Sequence, residues 1–511
     1  VALSLQKLFA PIAGARISGN SQVTVTGVTA DSREAGPGVL FLAVRGTTVD
    51  GHDYLAQAAA AGCSAVAVET GADLPARTLA ALANLPVIRV TRTRDLPARL
   101  SRHLRGCPDQ TLCAMGITGT NGKTTTAFLL QGLLNQLAGP CGLMGTIRYE
   151  DGLDSLPAPL TTPGGPVLFH WLGRMRDNGC RSVALEVSSH ALDQDRAAGL
   201  ELDVAVMTNL GRDHLDYHAD LDDYLRAKAG IMSLLERGPG SPKGAGSLVL
   251  NAADPSLAGL DTGDHPVIRF AAGPVPAGRP AADLTLQAAE LTLDGTVLDL
   301  VWHGATHRLH SPLVGRFNVE NLMAALAAGL AGGFDLETCL QALSGLSQVP
   351  GRLERFALPS GGIAVVDYAH THDALAAVLE TCDELGQGRL LVVFGAGGDR
   401  DRGKRPLMGE VAARLADGVW ITSDNPRSED PAQICADIQA GLEACRTPRA
   451  REVHLVVDRT TAIEAALAAA AVGDIVVVAG KGHEDYQLVG DQVLDLDDRR
   501  TITDWTERHP S

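Results

Sequence analysis

Lys123, Thr124 and Thr125 follow Thr118-Gly119-Thr120-Asn121-Gly122 in the run GITGTNGKTTTAFLL (116–130). A short apolar segment, CAMGI (113–117), leads into it, and good helix formers follow. Glycines let backbone N–H groups close around phosphate oxygens, and the next helix adds its positive end. A lysine here reaches the β- and γ-phosphates, and the hydroxyl after it suits Mg²⁺. The strict loop spacing needs glycine where Ile117 stands, so the textual match is one residue short. A plain strand-to-helix turn explains one glycine, but not Asn-Gly-Lys-Thr-Thr together. Gly119, Thr120, Asn121, Gly122, Lys123, Thr124 and Thr125 are therefore candidate ATP ligands.

Other chemistry is weaker. FGAGGDR (394–400) lacks the third glycine of a dinucleotide fingerprint, because Arg400 occupies that position. TNLGRDHLDYHADLDDYLRAK (208–228) places His214 and His218 four residues apart, but no third zinc ligand has the right spacing. Alone, this stretch reads as a solvated acidic helix. The nine cysteines form no CxxC pair and read as reduced thiols of a cytoplasmic protein.

Elements must position these groups. At 511 residues, 45% hydrophobic and 20% charged, the chain suits about three soluble domains. Its net charge of −17 disfavours nucleic acid and anionic membrane, so local donors must hold any anionic substrate. The first stretch, VALSLQKLFAPIAG, has too short an apolar core for a signal peptide, and no apolar run is long enough to insert in a membrane. The expected class is α/β in three domains: a small N-terminal α/β domain (1–105), a central ATPase-like domain with a mainly parallel sheet (106–345), and a Rossmann-like, doubly wound C-terminal domain (346–511). RSVALEVSS, DVAVMTNL and SLVLNAAD predict central strands that end in polar residues. GIAVVDYAH, RLLVVFGAGGDR, DGVWITSDNPR and GDIVVVAGKGHED repeat that design beyond residue 346. SQVPGRLERF (347–356) reads as the linker.

Taken in order, TADSR, TGTNGKTT, TTPG, EVSSHALDQDR, TNLGRDHLDYH, GRFNVEN, DYAHT, GGDRDRGKRP, DNPR and GKGHEDYQ resemble the Mur ligases, ATP-dependent amide-forming enzymes of peptidoglycan synthesis. The likeness runs over nearly the whole chain. DNPR and GKGHEDYQ are similar to the members that add meso-diaminopimelate to UDP-N-acetylmuramoyl-L-alanyl-D-glutamate.

The resemblance implies the following roles. Lys123, Glu186, His214 and Lys228 are catalytic. Thr124, Glu186, His214 and Lys228, carried as a carbamate, serve Mg²⁺. Asn318, Arg352, Asp367 and His370 join the loop in binding ATP. Ser32, Thr47 and Thr48 face the uridine diphosphate, and Thr161, Thr162, Ser188, Gln194 and Arg196 face the muramoyl peptide. Arg400, Asp424, Asn425, Pro426, Arg427, Gly480 and Glu484 receive diaminopimelate. Arg427 can fork onto the distal carboxylate, while Asp424 or Glu484 takes the distal ammonium. The implied reaction passes through an acyl phosphate, in a cytoplasmic monomer with small-molecule partners only. Two positions depart from the family: His372 stands where proline is usual, and Ala396 where cysteine is common. Alternatives are a lysine-adding Mur ligase, a folylpolyglutamate synthetase, or a nucleotide-hydrolysing module without ligase activity.

Overall fold

A computed structural model describes residues 2–46, 49–211, 213–214, 217–238 and 240–510. The chain divides into two compact units: Val1–Leu286 with Leu300–His307 and Glu320–Leu343, and Gln287–Asp299 with Arg308–Val319 and Ser344–Ser511.

The first unit contains two large sheets with separate cores, besides the short pair Leu3–Ser4 with Thr24–Val25. In the N-terminal sheet the order is Arg16–Ser18, Val87–Val90, Ala65–Glu69, Val39–Leu42, Gly27–Thr29, parallel except for the first pair. Leu5, Leu8, Leu40, Leu42, Ile88 and Leu100 close its core. Among the described residues the central sheet has eleven strands, of which the first eight from one edge are Ser155–Pro157, Arg148–Glu150, Cys141–Met144, Ser182–Glu186, Cys113–Thr118, Val204–Met207, Ser247–Asn251 and Val267–Ala271. From Cys141–Met144 onward these pairs are parallel, and the two edge pairs are antiparallel. Parallel strands buried on both faces read as apolar runs, which is why SVALE and VAVM were legible.

Two devices join these layers. Gly165 starts the helix Gly165–Asp177, and a Cβ there would stand 2.3 Å from Ala98 Cα of the helix Leu96–Leu104. Arg102, from that same helix, meets both Asp109 oxygens at 2.8 and 2.9 Å and Glu201 at 3.0 Å. Both acids are buried, so the guanidinium answers charges that would otherwise be stranded.

The second unit holds a six-stranded sheet ordered Glu354–Ala357, Ile363–Asp367, Ile475–Ala479, Leu390–Phe394, Gly418–Ile421, Glu452–Leu455, parallel after the first pair. Helices such as His372–Leu385, Lys404–Leu415 and Arg459–Ala469 cover it. Thr371 caps the first of these by accepting from Ala374 N, so His372 occupies the opening helical position where proline is favoured. Ala396 is buried in the core.

The 208–228 stretch departs from the helix expected of it in isolation. The helix begins only at Leu221, capped by Asp220, which accepts from Asp223 N at 2.8 Å. His218 is buried rather than solvated: its ring meets Ser189 Oγ at 3.1 Å and the Tyr224 ring at 5.0 Å. Tertiary packing against apolar and aromatic neighbours overrides a charge pattern that looks solvated in isolation.

Candidate active site

Three central strands end side by side. Glu186 pairs with Ile117, and Met207 with Thr118, so the loop after Thr118 opens between Glu186 and Thr208-Asn209. Parallel sheets bind ligands at such carboxyl ends. Gly122 has φ 84° and precedes the helix Lys123–Leu137; a Cβ there would lie 2.2 Å from Asn321 Oδ1. Neighbouring side chains brace the loop. Asn121 N donates to Asn209 Oδ1 at 2.8 Å, Thr208 Oγ1 donates to Asn121 O at 2.7 Å, and Gly211 N donates to Thr120 Oγ1 at 2.8 Å.

Two lysines converge on one carbonyl. Lys123 Nζ donates to Gly119 O and Thr120 O, both at 2.8 Å, and Lys228 Nζ donates to Gly119 O at 2.7 Å. Lys228 is buried, its nitrogen 4.3 Å from the Tyr224 ring centroid. Burial first, then repulsion from Lys123, pulls its amine down to a pKa of about 6.

The Glu186 carboxylate is held from three sides. Thr124 Oγ1 and Thr146 Oγ1 each donate to Oε2 at 3.0 Å, and Thr146 N donates to Oε1 at 2.8 Å. Thr146 Oγ1 also lies 3.0 Å from Thr161 Oγ1. Thr162 Oγ1 donates to Glu186 O at 2.7 Å and accepts from Ser188 N at 3.0 Å. Arg196 Nη1 donates to Thr162 O at 3.1 Å, its Nη2 to Gln194 Oε1 at 2.7 Å, and Gln194 Nε2 to Tyr217 Oη at 3.0 Å. Thr161, Thr162, Ser188, Gln194 and Arg196 thus belong to one network with Glu186. Desolvation lowers the pKa of Arg196, as an enclosed guanidinium requires.

His214 has φ 53° and lies edge-on to His190, with ring centroids 4.9 Å apart and Tyr224 at 6.2 Å. Ser32 is buried and donates to Gln57 Oε1 at 3.2 Å. Thr47 and Thr48 lie outside the described residues. Thr125 is buried on the loop helix.

In the second unit the strand ends again carry the polar groups. Asp367 is buried and accepts from Leu353 N and Ala369 N at 2.9 Å each, while burial raises its pKa. Arg352 stands 4.9 Å over the Tyr368 ring, and His370 Nδ1 meets Tyr368 O at 2.9 Å. Asn318 is buried and donates to Val314 O at 2.8 Å. Asn425 Nδ2 donates to Glu484 Oε2 at 2.8 Å. Arg427, at φ 51°, donates from Nη1 to Gly398 O at 2.8 Å. Gly398 must be glycine, since a Cβ would meet Pro426 O at 1.9 Å. Gly480 adjoins Asp424, whereas Arg400 is an exposed side chain.

Sequence reasoning missed Thr146, Tyr217, Tyr224 and Tyr368. Thr146, Tyr217 and Tyr368 earn their places through contacts distant in sequence, with Glu186, Gln194 and Glu484, for which no local spacing gives a signal; Tyr224 lies four residues before Lys228 on one helix, a spacing that could have found it.

Family models match three segments: "Mur ligase family, catalytic domain" at 24–105, "Mur ligase middle domain" at 117–329, and "Mur ligase, glutamate ligase domain" at 351–482. The chain belongs to the Mur ligase family. The UDP-N-acetylmuramoyl-L-alanyl-D-glutamate–2,6-diaminopimelate ligase of Geobacter sulfurreducens is 40% identical, over 97% of this chain and 96% of that protein. The ligase of the same name from Geobacillus thermodenitrificans is also 40% identical, over 97% and 98%. A solved structure bearing that enzyme name aligns over 100% of both chains at 32% identity, with a TM-score of 0.68. The MurF ligase of Thermotoga maritima, solved with ADP, shares the fold at 19% identity and TM-score 0.56, over 94% of this Mur ligase and 97% of its own chain.

Proposed function

We propose that this Mur ligase joins meso-2,6-diaminopimelate to UDP-N-acetylmuramoyl-L-alanyl-D-glutamate, converting ATP to ADP and phosphate. The observation that carries this reading is the 40% identity, over 97% of the chain, to ligases of that name. The Asn425, Glu484 and Arg427 cluster supports it, because a zwitterionic amino-acid head needs both acceptors and a guanidinium.

A carboxylate resists amines because it is anionic and its oxygen leaves poorly. Attack of the D-glutamyl carboxylate on the γ-phosphorus of ATP makes an acyl phosphate. The diaminopimelate amine then attacks the acyl carbon, a proton leaves the nitrogen, and phosphate departs. The protein mainly positions groups and offsets charge. Lys123 and the amides of 119–125 hold the phosphates. Asn318, Arg352, Asp367 and His370 are the proposed nucleotide contacts of the second unit. Ser32, Thr47 and Thr48 take the diphosphate of the sugar nucleotide. Thr161, Thr162, Ser188, Gln194 and Arg196 orient its peptide.

Mg²⁺ fits the donors present. Among the described residues no three His, Cys, Asp or Glu side chains gather into a metal cage. Mg²⁺ commonly needs only one or two carboxylates plus substrate phosphates. Thr124 and Glu186, 3.0 Å apart, offer hard oxygens, and His214 and Lys228 complete the proposed set. When bound, the ion would neutralise charge developing on the phosphate oxygens. Lys228 supports its proposed carbamylation, since only a neutral amine attacks CO₂ and this one titrates at about 6.

The functional boundaries we assign are 1–105, 106–345 and 346–511. We place the enzyme in the cytoplasm as a monomer; nine unpaired cysteines fit a reducing compartment, and no described helix is long and apolar enough to cross a membrane.

One assay tests the reading: ATP, Mg²⁺ and the UDP-muramoyl dipeptide with either meso-diaminopimelate or lysine. Product with diaminopimelate and little with lysine supports it. Comparable turnover of both, or ATP hydrolysis without amide formation, refutes it.

A further inference from the structure

Lys481 has no role in the reading above, yet its side chain is fully buried. Its Nζ lies 3.1 Å from Asn425 Oδ1, 3.4 Å from Glu484 Oε2 and 3.5 Å from Asp424 Oδ1. A buried ammonium is stable only among such acceptors. The need is mutual, because Asp424 Oδ1 is buried without a hydrogen bond. Other nearby cations have commitments of their own. Arg459 is bound by Asp498 at 2.7 and 2.8 Å, and Lys404 donates to His370 O at 2.8 Å. Two carboxylates around one ammonium leave a single negative charge in excess.

We propose that Lys481 is a positioning residue for amino-acid recognition. It ties Asp424, Asn425 and Glu484 into one acceptor set and cancels one of their two charges, so the set takes one ammonium group. The oxygens that Lys481 leaves are placed for this. Glu484 Oε1 is 3.4 Å from Tyr368 Oη. Asp424 Oδ2 faces Gly480, where a Cβ would approach to 3.1 Å and cover it. The ammonium is the distal one of diaminopimelate, so this inference rests on the function proposed above.

The test is a double-mutant cycle of Lys481→Met and Glu484→Gln, read as KM for meso-diaminopimelate and for ATP. Glu484→Gln should raise the diaminopimelate KM about tenfold in the native background, and less than about threefold beside Lys481→Met, with the ATP KM unmoved. Equal factors in both backgrounds overturn the proposal. Should Lys481→Met fail to fold, Glu484→Gln alone decides, with 2-aminopimelate, which lacks the distal amine, as the comparison. Leaving Lys481 against one acid should bring the two KM values within about threefold. Survival of the native preference overturns the proposal. A native enzyme that makes no product from meso-diaminopimelate overturns the underlying function instead, and shows this before any variant is made.

Discussion

Arg427 combines a guanidinium proposed to receive diaminopimelate with an unfavourable backbone. A non-glycine residue at φ 51° costs on the order of 1 kcal/mol, and glycine would relieve it while adding a similar entropy to the unfolded chain. Arg427→Gly should therefore leave the melting temperature within about 3 °C, yet raise the diaminopimelate KM at least about tenfold by removing a charged hydrogen bond. Loss of folding without loss of affinity in the folded fraction would contradict the assignment. His483 makes a different residue-scale prediction. Burial, then the charges of Arg352 and Arg499, depress its pKa to about 3 from 6.5. The unfolded state therefore binds the extra proton between those values, and stability falls as pH drops from 6.5 towards 3. Urea midpoints at pH 7 and pH 5 should differ less in His483→Asn than in the native enzyme.

Among elements, the turn between Cys141–Met144 and Arg148–Glu150 governs the site more than its sequence suggests. Gly145 abuts Glu186, and a Cβ there would come within 2.2 Å of Oε1. The obstacle is the end of a flexible side chain, so Gly145→Ala should fold normally and displace Glu186 from its three donors. Activity should fall about 10- to 100-fold, the usual range for losing an orienting partner; circular dichroism and steady-state kinetics check both halves. The strand–loop–helix at 113–137 was legible because glycines, a lysine and helix formers are contiguous. Parallel strands were legible as apolar runs ending in polar residues. Thr146 was not, because its partners Glu186 and Thr161 meet it only after the sheet assembles. Lys481 was visible in GKGHED, but its burial between two acids was not.

At the scale of the whole molecule, two compact units with their own cores should not melt as one. Calorimetry should resolve two transitions. All seven proposed diaminopimelate residues lie in 344–511, so the amino acid at about 100 times its Kd should stabilise one transition by ~2.7 kcal/mol and leave the other in place. The UDP-muramoyl dipeptide should do the reverse. A single transition, or both shifting together, would contradict this division. The charge of −17 is also a whole-molecule property, and it fits the proposed sites, in which anions would meet amides, hydroxyls and single guanidinium groups in place of a basic patch.

Arg102, gripping Asp109 and Glu201, and the glycine-tight seam at Gly165 fix the N-terminal sheet against the central one. On the proposed placement, Ser32 anchors the uridine end of the sugar nucleotide, while Thr162 and Arg196 meet its peptide end. With that separation set by protein, the enzyme acts as a ruler: a stem one residue too short would leave its carboxylate shy of the phosphate loop, and one too long would overshoot it.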